Sequence, residues 1–318
     1  LTGTNYNSSF TTTVGGTNCT AKTYSSATST KCTTPAKTAG STQSVVTRTP
    51  YGSSTSFDVT YAVPPTVTSV SPDKGVTGVT GQVITITGTD FTNANAVTVG
   101  TEACVSFTVV SSTTITCTLP SFTTSGTKSV LVTTPSGTNS ANTLYQAIEK
   151  YLTITAPPQT VQVNVQPSKF SSNQSPVTVS TNNPDGYNLS LKASSSDLTN
   201  TTTPATTIPT ITGYDLTNPA SDSLVSNLIG NSSFWAYRVT SQGSFGSTTT
   251  QETNVANTAY SWATVPTIDT LIRTGTQTDD LLTPDTPQIT DVWFGVSPTI
   301  SKASGDYTVT ITYTVEEL

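Results

Sequence analysis

The four cysteines of this chain form two pairs that occupy equivalent places in a repeated sequence. Cys19 and Cys32 have the same spacing as Cys104 and Cys117, and 85 residues relate the first pair to the second (104 − 19 and 117 − 32). Glycines and prolines follow the same offset, and the opening L-T-G-T-N-Y matches a later I-T-G-T-D-F. A fixed period of this kind is typical of tandem domains that share one fold.

Composition favours β-structure. Charged residues make up 9% of the chain, where about a quarter is usual for a globular domain, and hydrophobic residues make up 33%. Thr is the commonest residue, and Thr and Val suit a pleated strand better than a helix. We therefore expect an all-β protein with small cores, hydroxyl-rich surfaces and almost no helix.

Net charge and hydropathy exclude two classes of partner. The net charge of −6 argues against nucleic-acid binding, which needs clustered Lys and Arg. No apolar run approaches the roughly 20 residues that span a bilayer, so we predict no membrane insertion of this segment. A start at Leu1 without a signal peptide is what we expect of a processed secreted protein or of a fragment.

Each cysteine pair is predicted to form a disulfide, which indicates an oxidising, extracellular location. If residues 105–110 and 113–118 are the arms of a hairpin, Cys104 faces Cys117 across it, and such a bridge contributes about 3 kcal/mol. A metal site is the alternative. It is disfavoured because zinc sites use His or closely spaced Cys, and the chain has no His.

Several segments of the second repeat carry the pattern of a known family. They are P-T-V-T-S-V-S-P at 65–72, glycines at 75, 78 and 81, V-I-T-I-T-G-T-D-F at 83–91, and the later motifs at 97–100, 112–120 and 130–137. In these segments the chain resembles the IPT/TIG domain, over 64–147 well and over 1–63 in part. The resemblance implies an immunoglobulin-like β-sandwich that serves as a spacer or binding module.

The first repeat has no counterpart of residues 65–85. One explanation is a longer protein with further repeats upstream. The other is a sandwich whose open edge accepts a strand from another chain, which would lead to polymerisation.

From residue 148 onward the pattern changes, and we predict a larger C-terminal β-sandwich. Strands are predicted at 151–158 and 161–165, and a hairpin at 176–191 that turns at N-P-D-G. The clearest strand is the last, 307–315, where Tyr and aliphatic residues alternate with Thr, so its apolar face needs a partner sheet.

Long polar stretches of the C-terminal domain, at 199–210 and 242–257, are predicted to be exposed loops. Asp279, Asp280 and Asp285 form an acidic stretch that lacks the regular spacing of a calcium loop.

Trp235, Tyr237, Trp262 and Trp293 also lie in the C-terminal domain. Aromatic side chains there fit a buried core, a subunit interface or a glycan-stacking platform. Core is the favoured interpretation, and the two contact roles stay open.

Residues 148–318 are similar, more loosely, to the C-terminal module of Thr-rich surface proteins of candidate-phyla-radiation bacteria, including Saccharibacteria-like lineages. The similarity rests on 179–191, on F-W-A-Y-R at 234–238 and on the final Thr-rich strand. It implies a cell-surface location.

Catalysis is not expected. The chain has no His, the commonest general base near neutral pH, and no motif of an activated nucleophile. We predict no catalytic, cofactor or metal site.

The sequence therefore predicts three domains: a partial IPT/TIG repeat at 1–63, a full repeat at 64–147 and a C-terminal β-sandwich with long loops at 148–318. The predicted function is an extracellular structural protein that self-assembles as a homo-oligomer or polymer into a surface fibre or layer. The alternative is a cell-surface adhesin that binds glycans or a partner cell.

Overall fold

The computed structural model describes residues 1–156, 161–247, 250–276 and 287–318. These residues form two compact units, Leu1–Ile148 and Glu149–Leu318. Strands dominate both units, and the described residues contain one short α-helix. The expectation of an all-β fold is confirmed.

The first repeat contains seven short strands. They are β1 (Thr11–Val14), β2 (Thr17–Asn18), β3 (Ala21–Ser26), β4 (Ser29–Thr33), β5 (Thr42–Thr49), β6 (Gly52–Ser53) and β7 (Phe57–Thr60). One sheet has the order β2-β1-β5-β6, with β7 also paired to β5, and the other is the β3-β4 hairpin.

The second repeat contains eleven strands. They are β8 (Thr66–Ser71), β9 (Lys74–Val76), β10 (Val83–Thr89), β11 (Ala96–Val99), β12 (Glu102–Ala103), β13 (Ser106–Ser111), β14 (Thr114–Thr118), β15 (Gly126–Lys128), β16 (Val130–Thr134), β17 (Gly137–Thr138) and β18 (Tyr145–Ile148). Their sheets have the orders β13-β14-β10-β8, β12-β11-β16-β17 and β15-β18-β9.

Alternation of apolar and hydroxyl residues builds the core of the second repeat. In β10, Ile84 and Ile86 point inward and are fully buried, while the intervening threonines point outward. Val97 and Val132 form a cross-strand pair on the opposite sheet and are buried in the same cluster. The result is an aliphatic interior between two sheets.

The first repeat has the same central pairing with a more polar interior. Thr12 and Thr47 are paired across β1 and β5, at the positions of Val97 and Val132 in the second repeat. Their hydroxyl oxygens are hydrogen-bonded at 3.0 Å and both residues are buried. Few large apolar side chains pack around these two threonines, so burial of apolar area stabilises the first repeat less than it stabilises the second.

Both disulfides join the predicted cysteines, with Cα atoms 5.8 Å apart in each. The predicted register across the β13-β14 hairpin is wrong, because Cys117 pairs with Phe107 and not with Cys104. Cys104 precedes β13, and its backbone N–H donates to the Val97 carbonyl of the opposite sheet. The bridge therefore ties one sheet of the sandwich to the other.

The described residues of the second unit form ten strands and the helix. They are β19 (Leu152–Thr155), β20 (Ser171–Thr181), β21 (Tyr187–Ala193), β22 (Asp197–Asn200), β23 (Thr207–Pro209), α1 (Asp222–Leu228), β24 (Phe234–Val239), β25 (Thr270–Gly275), β26 (Gln288–Ser297), β27 (Tyr307–Thr308) and β28 (Ile311–Glu317). Their sheets have the orders β19-β20-β26-β24, β25-β21-β28 and β23-β22-β27.

The predicted strand at 307–315 is divided into β27 and β28, which belong to different sheets, but its apolar face packs as the sequence predicts. Tyr313 and Val315 of β28 lie against the main core of the second unit, together with the other apolar residues of the 307–315 segment. The Tyr313 hydroxyl donates to Ser175 Oγ on β20, which belongs to the facing sheet, at 3.2 Å. The apolar face of this strand therefore has its partner sheet.

Three local predictions in the second unit are wrong. Strands β20 and β21 do not pair with each other, so the turn at 183–186 links two sheets instead of closing a hairpin. Residues 161–165 form no strand. The stretch at 199–210 is not a plain loop, because Leu198 of β22 pairs with Ile208 of β23.

Helix α1 covers part of the second face of the β19-β20-β26-β24 sheet. Ser221 caps it by accepting a hydrogen bond from the Leu224 N–H, and Asp222 in its first turn complements the helix dipole. Val225 is its buried residue and packs in a cluster with Phe234 and Trp293. No helix among the described residues is long and apolar enough to cross a bilayer.

Candidate functional site

The four aromatic residues predicted as possible contacts lie in the interior of the second unit. Trp235, Tyr237, Trp262 and Trp293 are each 0–1% exposed. Strand β24 is buried along its whole length, with alternate residues packed on the two opposite faces of its sheet. The core interpretation therefore describes these residues, and in this fold they present no surface to a glycan or subunit.

A buried arginine lies among three of the inner aromatic side chains. The guanidinium carbon of Arg238 is 4.2 Å from the ring centre of Tyr260, 4.6 Å from that of Trp293 and 5.3 Å from that of Trp262. These distances are within the range of cation–π attraction, which is strongest where water is excluded. Arg238 is fully buried, so the aromatic rings form an internal packing site and not a ligand-accessible one.

Glu252 supplies a negative charge near this arginine. Its carboxylate accepts hydrogen bonds from Thr258 Oγ1 and from the Ala259 N–H, both at 2.9 Å. Burial raises the pKa of Glu252, and these two hydrogen bonds and the charge of Arg238 oppose that rise. The 242–257 stretch that contains it is therefore not a simple exposed loop, since Glu252 and Phe245 are buried.

The predicted acidic stretch, Asp279, Asp280 and Asp285, lies outside the described residues. In the part of the chain that the structure describes, no group of three or more potential metal ligands lies together.

Exposed aromatic side chains are concentrated in the first repeat. Tyr51 is 88% exposed at the β5-β6 turn, Phe57 on β7 is 46% exposed, and Tyr24 on β3 is 42% exposed. No other aromatic residue in the described ranges is among the exposed large hydrophobic side chains. Sequence reasoning missed these residues, because it assigned surface roles to the tryptophans.

The β13-β14-β10-β8 sheet of the second repeat has an uncharged outer face. Its four strands contain no Lys, Arg, Asp or Glu. Strand register aligns hydroxyl side chains in rows that cross all four strands, and one row consists of Ser71, Thr85, Thr116 and Thr108. A flat neutral face of this kind differs from the mixed-charge surface that keeps most soluble proteins apart.

The same sheet ends in an open strand. Among the described residues β13 pairs only with β14, and its other side has no strand partner. Val105, directly before β13, is 69% exposed, and Val110, near its end, is 61% exposed. We take this edge and the adjoining hydroxyl face as the candidate interaction surface of the protein, because unpaired strand edges template pairing with another chain.

Solved structures with some likeness to the chain include two bacterial proteins. The protein SGBP-B of a xyloglucan utilization locus in Bacteroides uniformis is 14% identical, over 95% of this chain and 86% of that chain, with a TM-score of 0.26. The Yersinia pseudotuberculosis adhesin InvE is 12% identical, over 78% and 58%, with a TM-score of 0.22.

A third similar structure is the extracellular region of plexin A4, which is 21% identical. The match covers 42% of this chain and only 14% of plexin, with a TM-score of 0.26. These identities and TM-scores are too low to carry an argument about function. No curated protein sequence matches the chain.

The family model of the IPT/TIG domain matches residues 1–62 and 65–147. The two matched segments contain the two sandwiches with the shared disulfide position, as the sequence motifs predict. Residues 1–147 of this chain therefore belong to the IPT/TIG family of immunoglobulin-like domains, in two tandem copies.

Proposed function

We propose that the chain is an extracellular structural protein that self-assembles into a cell-surface fibre or surface layer. The observation that carries this proposal is the sheet of the second repeat, which combines a neutral hydroxyl face with an open edge strand. Soluble monomers usually protect such edges with charge, proline or a covering segment. An unpaired strand edge in a small domain is therefore suited to a protein that associates with other copies of itself.

The two disulfides support the extracellular part of the proposal. Bridges of this kind persist in oxidising compartments and are rare in the cytosol. Each one ties the two sheets of a small sandwich together, which keeps a domain with a small core in shape outside the cell.

Electron microscopy of the purified, oxidised chain over a range of concentrations tests the proposal. We expect filaments or two-dimensional sheets to form as the concentration rises. Single monodisperse particles at every concentration would contradict assembly.

An adhesin that binds glycans is the second candidate, and the exposed aromatic residues of the first repeat favour it. Tyr51, Phe57 and Tyr24 are exposed to solvent, unlike the buried tryptophans, and exposed aromatic side chains can stack on a sugar. A glycan array with the unmodified chain and with Tyr51→Ala tests this function. Loss of a bound sugar in that variant, with unchanged assembly, favours the adhesin, whereas absence of binding in both chains excludes Tyr51 as a sugar contact.

A further inference from the structure

The open edge strand β13 has the hydrogen-bonding capacity to accept another strand. It is six residues long, Ser106–Ser111, and forms the end of its four-stranded sheet. About half of the backbone N–H and C=O groups of an edge strand point away from its neighbour. Among the described residues no backbone hydrogen bond runs from β13 to any segment other than the adjacent hairpin strand.

Apolar side chains line this edge. Val105 and Val110 are largely exposed at its two ends, and Phe107 and Val109 between them are only partly buried against the core of their own repeat. The apolar area that remains in water would be covered by a strand laid along β13. Burial of apolar area is the main driving force for such association.

The matching strand of the first repeat has different edge chemistry. Strand β3 also ends its sheet, and it carries Lys22 at the position that Phe107 has in the second repeat. Position 105 is matched by Thr20 and position 110 by Ser25, so the apolar side chains at both ends are absent there. Lysine on an edge strand is a common means of preventing pairing.

We propose that two copies of this chain associate through their β13 strands, paired antiparallel across a two-fold axis. The result is one continuous sheet of eight strands, four from each copy. This inference rests on the proposed function of self-assembly and names one contact of that assembly.

A second copy fits this edge because the strand is complementary to itself. A two-fold axis perpendicular to the sheet keeps Phe107 and Val109 of both copies on the core side, and it keeps Ser106 and Thr108 on the hydroxyl side. No charged residue lies between positions 103 and 127, so the two negatively charged chains meet where neither carries charge. An axis at Phe107 pairs residues whose numbers sum to 214, so Val105 of one copy lies opposite Val109 and one residue from Val110 of the other.

The contact is closed, because a two-fold interface uses the same patch on both partners. It therefore joins chains in pairs, and a fibre needs a second contact that adds pairs to one another. This separates the inference from the proposed function: loss of the β13 contact dissolves the pair, while failure of the second contact leaves pairs without filaments.

Sedimentation of the full oxidised chain tests the inference, with Val105→Lys/Val110→Lys as the disruptive variant. At both ends of the junction, the variant brings the lysine at position 105 of one copy within one residue of the lysine at position 110 of the other, and like charges that meet across an antiparallel pair are destabilising. We expect the unmodified chain to sediment as a pair, at twice 33.0 kDa, and the variant to dissociate at least about tenfold more readily.

Ile268→Lys/Ile300→Lys is the matched control. Both residues belong to the second unit, outside the candidate interaction surface, and are 74% and 84% exposed, so this variant adds the same two lysines and should pair normally. A monomeric unmodified chain at all concentrations, or equal pairing by all three chains, would overturn the proposal. Filaments formed by the Val105→Lys/Val110→Lys variant would overturn it and leave the proposed function standing.

Hydrogen exchange on the unmodified chain gives a readout that does not depend on the folding of a variant. The amides of residues 106–111 that point away from β14 should become protected as the concentration rises. Protection that does not change with concentration would contradict pairing through this strand.

Discussion

The two IPT/TIG repeats share a central strand pairing but differ in what lies around it. In the second repeat, β10 pairs with β14 along five residues, and β9 pairs with β18. In the first repeat, residues 1–3 lie along the corresponding side of β4, where the Leu1 and Thr30 backbones exchange two hydrogen bonds. The same topology is therefore stabilised by an aliphatic core and a disulfide in the second repeat, and by a disulfide around a more polar interior in the first.

The comparison teaches that the disulfide matters most where the core is smallest. Val97 and Val132 in the second repeat bury apolar area, whereas Thr12 and Thr47 at the same places bury hydroxyl groups that satisfy each other. A hydrogen bond of this kind contributes about 1 kcal/mol net, which is less than the burial of two valines. The first repeat therefore depends more on Cys19–Cys32 than the second does on Cys104–Cys117.

The largest expected effect is the loss of the first bridge. A Cys19→Ala/Cys32→Ala variant should lose about 3 kcal/mol, enough to leave residues 1–62 largely unfolded. The matched Cys104→Ala/Cys117→Ala variant should leave residues 65–147 folded with reduced stability. Hydrogen exchange followed peptide by peptide measures both, and equal loss of protection in the two repeats would break the comparison.

A smaller effect is expected at a matched pair of glycines. An added Cβ at Gly88 would overlap the backbone carbonyl oxygen of Thr66 on β8, whereas at Gly3 it meets the movable side chain of Tyr6. Gly88→Ala should therefore cost about 2 kcal/mol and Gly3→Ala almost nothing. Thermal unfolding of both variants measures this difference. A large cost at Gly3 would show that a backbone segment also lies against that side of the first repeat.

The smallest effect concerns a single buried hydroxyl. Thr30 in the first repeat is buried, and its Oγ1 has no hydrogen-bond partner, while Ile115 fills the same place in the second repeat. Thr30→Val should stabilise the first repeat by about 1 kcal/mol, because it removes an unsatisfied polar atom. Ile115→Thr is the reciprocal change and should destabilise the second repeat. Urea unfolding curves measure both, and destabilisation by Thr30→Val would count against a polar, underpacked interior.

Much of the IPT/TIG region could be predicted from sequence because its patterns are local. The alternation in residues 83–89 fixes which side chains enter the core, and the repeated cysteine spacing identifies the bonded pairs. The hairpin register could not be derived from those cysteines, because Cys104 lies before β13 and bonds to the other sheet. A disulfide between sheets and one within a hairpin have the same spacing in sequence.

The second unit was harder to predict because its features depend on long-range packing. The turn signal at 183–186 is real, but nothing local states whether the flanking strands share a sheet. The tryptophans are buried because both faces of the β19-β20-β26-β24 sheet are covered by other parts of the unit. The nearly continuous apolar run F-W-A-Y-R-V of β24 indicates such a strand, since a strand with one exposed face would alternate apolar and polar residues. The uncharged outer face of the β13-β14-β10-β8 sheet could also be predicted, because the segments that form its strands carry no charged residue. That β13 is the open edge could not, because this depends on the order of the strands in the sheet.

The proposed extracellular role requires that the disulfide of each IPT/TIG β-sandwich is formed in the native protein. Alkylation of freshly isolated, unreduced native protein, followed by mass spectrometry, tests it most directly. The account predicts no alkylated cysteine, with linked peptides that join Cys19 to Cys32 and Cys104 to Cys117. Four alkylated thiols would contradict it.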